Sequence, residues 1–363
     1  QKMIDDTVWT TQQMDAVSNV ENQDYTEERR LKEVDECEEV LKAIQAEEYE
    51  TAKTLLETLA KEDNLTAKLD LARLHLRQLI NDPDFDFAIK LLEEASRSGS
   101  SDASNQLGST LEDGTGTLKN VIEALEFYRF AADQGSANGM FNMGRCYLLG
   151  IGTEQHTANA MTWLGKAAHL DHELACHWMG SLYYEGQYIE SEPTMASNFY
   201  ERGATLGYSY SQNKLGAMYR DGIGRDKNLE QAFSLFKLSA TSGNEWGQFL
   251  LGQMYLNGSY IKEDLNLAKK LFTLSADQGL ADAQVELGAM YGKGLGMPAD
   301  RVKSVELYKL AAEQGVAIAN FNLGVVYING DGIEPDIDLG VSYMSQAAVL
   351  GMEEAEEILV ELK

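Results

Sequence analysis

Cysteine, proline and positive charge are all scarce in this chain of 363 residues. Its three cysteines, Cys37, Cys146 and Cys176, are too few and too irregularly spaced for a disulfide framework, and they match no zinc pattern. They are expected to be small buried hydrophobes. Four prolines beside 32 glycines suit many short helices broken by glycine turns and argue against a strand-rich sandwich. No apolar run approaches the ~18 to 20 residues needed to cross a bilayer, so no membrane insertion is expected. Thirty Lys and Arg face 58 Asp and Glu, a net charge of −28. Such a field repels nucleic-acid phosphates and anionic headgroups and favours a basic or amphipathic protein partner, so no nucleic-acid ligand is expected. The chain starts at Gln1, not Met. The cytoplasm is the favoured compartment, with the periplasm or exterior as alternatives if an export signal preceded Gln1.

What the chain has in abundance is a period. A Leu-Gly or Met-Gly pair places Gly108, Gly144, Gly180, Gly216, Gly252, Gly288 and Gly324 at intervals of 36. Six residues after each comes another glycine, from Gly114 to Gly330, and three residues after comes Tyr147, Tyr183, Tyr219, Tyr255, Tyr291 or Tyr327. Sixteen residues after stand Ala124, Ala160, Ala196, Ala232, Ala268, Ser304 and Gly340, and small pairs such as Ala131-Ala132 follow seven further on. Apolar spacing of three and four predicts two helices of about thirteen residues per unit, as in Ser209 to Asp221 and Leu229 to Thr241. A mid-helix glycine costs about 1 kcal/mol relative to alanine. Its retention predicts close approach of the facing helix, at the Ala positions. Gly135, Gly207, Gly243, Gly279, Gly315 and Gly351 follow the second helix, with only Asp171 breaking the series, and suit a left-handed carboxyl-terminal cap.

Residues 1–25 lack periodicity and read as an acidic arm, with Trp9 as its candidate anchor. Residues 26–100 hold two degenerate repeats, marked by Leu71-Ala72, Ala88, Ala95, Gly99 and, one unit earlier, Ala52. Residues 101–351 hold seven clear repeats, and 352–363 form a capping helix with Ala355 in phase.

The combined pattern, small-x-x-x-Leu-Gly-x-x-Tyr-x-x-Gly-x-Gly and then Ala-x-x-Tyr/Phe-x-x-x-Ala-Ala-x-x-Gly, resembles the Sel-one-like repeat family, relatives of tetratricopeptide repeats. The stretch from Ala281 to Gly315 is its clearest instance. The resemblance implies an all-α fold, a right-handed superhelical α-solenoid of about nine helix-turn-helix repeats. It further implies a concave surface that serves an adaptor, scaffold or regulator. One cysteine-rich branch of the family pairs a cysteine four residues before the Leu-Gly glycine with another late in the second helix. Cys176 fills the first place but Ala204 fills the second, so that disulfide cannot form, which argues against the exported branch and its β-lactam-related activities.

No catalytic, cofactor or metal residue is assigned. The Gly-x-Gly loops lack the Lys-Ser/Thr of a phosphate loop, no serine or acid sits in a nucleophile motif, and no carboxylate or cysteine completes a ligand set around His169, His172 and His177. Stepping about 100° per residue along the first helix sets positions −6, −3, +1, +4 and +5 from the glycine opposite the buried side. That stripe offers Phe141, Arg145, Leu148, His177, Tyr184, Tyr210, Arg220, Trp246, Phe249 and Leu256 as a partner-binding groove. Alternatively, these side chains pack against neighbouring first helices. The expected function is that of a non-catalytic adaptor or scaffold binding a protein or peptide. The other expectation is a regulator that binds a small ligand or cell-wall fragment, or a weak hydrolase, exported if a signal preceded Gln1, using His177, Glu185 and Arg220.

Overall fold

The computed structural model describes residues 38–330 and 332–361. The arm expected over residues 1–25, with Trp9, lies outside the described residues, as does Cys37. Nineteen helices and no strand occupy the described residues, an all-α solenoid of units of about 36 residues. They form two compact units, within Gln1–Leu206 and Gly207–Lys363.

In the first unit, helices Glu38–Gln45, Tyr49–Lys61, Leu65–Leu76 and Phe85–Arg97 precede the glycine-marked repeats. Ser101–Asp113 then pairs with Val121–Asp133, Ala137–Leu149 with Thr157–His169, and Glu173–Glu185 with Pro193–Thr205. In the second unit Ser209–Asp221 pairs with Leu229–Thr241 and Glu245–Asn257 with Leu265–Asp277. Ala281–Lys293 pairs with Arg301–Glu313 and Ala317–Asn329 with Ile337–Val349, and the lone Glu353–Glu361 closes the series.

Helix ends repeat as faithfully as helix faces. The carboxylate or amide of Asp84, Asn120, Asn228, Asp264, Asp300 and Asp336 accepts the backbone N–H three residues on, satisfying an otherwise orphaned donor in six of the second helices. At the far end of the first helices the cap is a left-handed glycine, Gly114 through Gly330, with φ from 62° to 77°. The expected reversal after the second helix is also left-handed: its six glycines have φ from 81° to 97°, and Asp171 adopts φ 59° in their place.

The mid-helix glycines face something larger than the expected alanine. In every repeat the nearest atom to a Cβ built on the glycine belongs to the side chain 20 residues later: Tyr128, Leu164, Tyr200, Phe236, Phe272, Tyr308 or Met344. On Gly216 a Cβ would lie 2.5 Å from Phe236 Cε1. The small residue 16 places on is fully enclosed beside that contact and lets the backbones approach. Glycine thus opens a slot for a large side chain, a ring in five of the seven repeats, that is itself buried, and burying such a side chain contributes about 2–3 kcal/mol.

Candidate partner-binding face

Ten side chains were expected to line one groove, and the structure corrects this for five of them. Phe141, Arg145, Leu148, His177 and Phe249 are all at most 7% exposed, whereas Tyr184, Tyr210, Arg220, Trp246 and Leu256 keep part of their surface. The cause is contact between first helices themselves, as between Ser101–Asp113 and Ala137–Leu149 and between Ser209–Asp221 and Glu245–Asn257. At position −3, Phe141 meets Trp178 and Asn213 donates to Asn244 at the next first helix, while His177 and Phe249 rest on Tyr200 and Phe272 of the second helix in their own hairpin.

Arg145 is engaged inside the protein. Its guanidinium forks onto the Glu112 carboxylate, with Nη1 donating to Oε1 at 2.8 Å and Nη2 to Oε2. The Tyr128 hydroxyl donates to the same Oε2 at 2.8 Å. Burial alone would raise the Glu112 carboxyl, but Arg145 and then Tyr128 outweigh it and hold it below the ordinary glutamate value. Asn142 extends the network by donating to Asn105 Oδ1 at 2.9 Å.

The histidines do structural work. His172 caps Glu173–Glu185: its Nδ1 accepts the Ala175 N–H at 3.2 Å, Nε2 meets Asn138 Oδ1 at 3.0 Å, and its ring stacks on Phe141 at 4.8 Å. His177 lies 5.4 Å from the Tyr200 ring, whose hydroxyl shares a hydrogen bond with Ser181. His169 offers only its carbonyl, to Arg202 at 3.1 Å. Among the described residues no three His, Cys, Asp or Glu side chains gather as a metal site. Cys146 and Cys176 are buried thiols in no disulfide, and burial pushes the Cys176 thiol up to about 11. Of the set considered for ligand chemistry, His177 is enclosed, and Arg220 donates twice to its neighbour Asp221, at 2.8 and 2.7 Å.

On the second unit the first-helix face carries Tyr210, whose hydroxyl donates to Glu245 Oε1 at 2.9 Å, and Trp246, which meets Phe249 edge-on at 5.9 Å. Phe249 in turn rests 5.8 Å from the Phe272 ring, so Trp246 stands on a fixed aromatic base. Asp282 and Glu286, absent from the expected groove, lie one repeat further on, and burial raises both carboxyls above their ordinary values. Asp282 holds the same repeat position as Tyr210 and Trp246, so extending the stripe by one unit would have found it.

Enclosed walls that repeat and face residues that vary from unit to unit define an α-solenoid of stacked helical hairpins. A model of the Sel1 repeat matches residues 67–100, 101–136, 137–172, 174–208, 209–244, 247–280, 281–316 and 317–352. The chain belongs to the Sel1 repeat family, whose members are generally protein-interaction scaffolds. Among solved structures it is similar to a protective antigen of uropathogenic Escherichia coli strains that displays an SLR fold. That likeness is 28% identity over 85% of this chain and 67% of the other, with TM-score 0.71. A Sel1 repeat protein from Oxalobacter formigenes is 25% identical over 85% of this chain and 90% of that one, with TM-score 0.62. No curated protein matches.

Proposed function

We propose that the chain is a non-catalytic adaptor that holds a basic or amphipathic protein segment on the first-helix face of residues 207–363. The observation that carries this is the pair Tyr210 and Trp246, partly exposed at one repeat position on neighbouring first helices. Other units place Asp102, Asn138, Leu174, Asp282 and Ile318 there, so packing does not require an aromatic. Tyr and Trp are the side chains that most often dominate binding energy, and a rigid base beneath Trp246 limits the entropy lost on contact. Asp282 and Glu286, already partly desolvated, favour a cationic partner. Affinity capture from the source organism with the intact chain and with a Tyr210→Ala/Trp246→Ala variant of unchanged helicity tests the proposal. A stoichiometric protein partner lost with the variant is expected. Capture unaffected by the variant refutes this face, and a small molecule in place of a protein refutes the adaptor.

A further inference from the structure

The 36-residue period supplies an internal control, because a side chain that packing requires recurs, and one that departs in a single unit is not demanded by the fold. Seventeen residues after the Leu-Gly glycine stand Leu125, Met161, Ser197, Phe233, Val305 and Val341, but in one unit Lys269. Thirteen residues after it stand Val121, Thr157, Pro193, Leu229, Leu265 and Ile337, but in the next unit Arg301. Fifteen residues after it, Lys303 is the only cation among seven units.

The fold brings Lys269 and Lys303 to one ring, and Lys269 and Arg301 to one recess. Lys269 Nζ lies 5.2 Å and Lys303 Nζ 4.9 Å from the centroid of the Tyr291 ring. One repeat earlier, Tyr255 has the Phe233 ring edge-on at 6.0 Å in the position where Tyr291 has Lys269. An aromatic contact has been exchanged for an ammonium. Lys269, Tyr291 and Arg301 border a recess of about 530 Å³ together with Met297, Pro298 and Ala299, a volume within the ordinary range of ligand pockets. Among the described residues neither Lys269 nor Lys303 is ion-paired. Asp300 also borders the recess, where its Oδ1 accepts the Lys303 backbone N–H at 3.0 Å as a helix cap. Two like charges held against one ring repel each other, and the remaining repeats show that the packing is satisfied without them. In a chain of net charge −28, their convergence is the reverse of the general field.

We propose that the recess beside Tyr291 binds an oxyanion, a phosphate monoester or carboxylate, at the Lys269 ammonium group, with the Arg301 side chain on its border and Lys303, over the same ring, adding to the positive field. Its cations come from second helices and its loop residues from the segments before them, and Tyr291, its one first-helix residue, lies outside the stripe that carries Tyr210 and Trp246, so it stands or falls separately from the first-helix face.

Amide NMR of the full chain, titrated at constant ionic strength with inorganic phosphate, acetate and phosphoserine, tests it. The controls are Lys269→Val and Lys303→Gln, residues that equivalent positions already carry as Val305 and Gln231, so the fold is retained. Saturable shifts at Tyr291, Met297 and Val302 are expected, weakened tenfold or more in the double variant. Phosphoserine binding more tightly than inorganic phosphate assigns the group to a modified partner, and equal affinity assigns it to the free anion. Shifts that rise linearly without saturation, or equal affinity in wild type and double variant, overturn the proposal.

Discussion

Lowering the pH should weaken the repeat that begins at His172 before it weakens its neighbours. Equivalent first helices are capped by Asn64, Ser100, Ser136 and Asn244, none of which titrates, but here the acceptor is an imidazole nitrogen. With Nδ1 accepting from Ala175 N–H, the ring must be neutral, and a proton on Nδ1 would face another hydrogen. Burial accordingly lowers the pKa from the ordinary 6.5 to about 4. Between those values the unfolded chain takes up a proton that the folded chain refuses. The stability contributed by this ring is therefore complete above pH 6.5 and is lost as the pH falls toward 4. Integrating the two titrations gives a loss of about 2 kcal/mol by pH 5 and about 3 kcal/mol by pH 4. Urea unfolding and hydrogen exchange of the Ala175 amide at pH 7 and pH 5 would measure it. His172→Asn is the control, because asparagine still caps without titrating. The variant should be less stable at pH 7, having lost its stack on Phe141, yet lose about 2 kcal/mol less on going to pH 5. Equal slopes in the two proteins would refute the reasoning, since any carboxylate contribution is common to both.

Alanine should act in opposite directions at two helical glycines. At Gly216 the overlap with Phe236 should cost about 1–3 kcal/mol beyond the helix-propensity gain, whereas Gly165, with no atom within 4 Å of a built Cβ, should gain up to about 1 kcal/mol, both read by urea melts. Arg145→Met strands the Glu112 carboxylate and should cost about 3–5 kcal/mol, with most of it recovered by adding Glu112→Gln. Arg220→Ala, which breaks a more exposed pair with Asp221, should cost under about 1 kcal/mol in the same assay. Finally, Gln278 and Gln314 donate to Gln248 and Gln284 in successive repeats at 2.8 and 3.0 Å, but in the last one Leu350 holds the donor's place and Asn320 Oδ1 is buried without a partner. Leu350→Gln should raise stability by about 1 kcal/mol.

The helices and their left-handed reversals were legible because each depends on local chemistry repeated in phase: apolar spacing, a cap and a glycine. Even the one exception, Asp171, adopts the geometry that the series requires. The capping residues Asn120, Asn228, Asp264, Asp300 and Asp336 also recur every 36 residues or multiples of it, a further local signal in the same phase. The face was less legible. A helical wheel places Phe141 and Phe249 opposite the wall, but it knows only one helix, and these rings pack on Trp178 of the next first helix and on Phe272 of the paired second helix. Arg145 illustrates the same limit, because its carboxylate lies 33 residues upstream, in another repeat. Periodicity reports what packing demands in every unit, and it is silent about pairs that occur once.

Because each mid-helix glycine finds its large partner side chain within its own module, array length is a variable that heredity can alter in whole steps. Removing residues 253–288, a span of 36, would splice Gly252 onto Ala289 and hand the glycine the Tyr308 ring in exchange for that of Phe272. Misaligned recombination between such modules would thus lengthen or shorten the protein without redesigning a single joint.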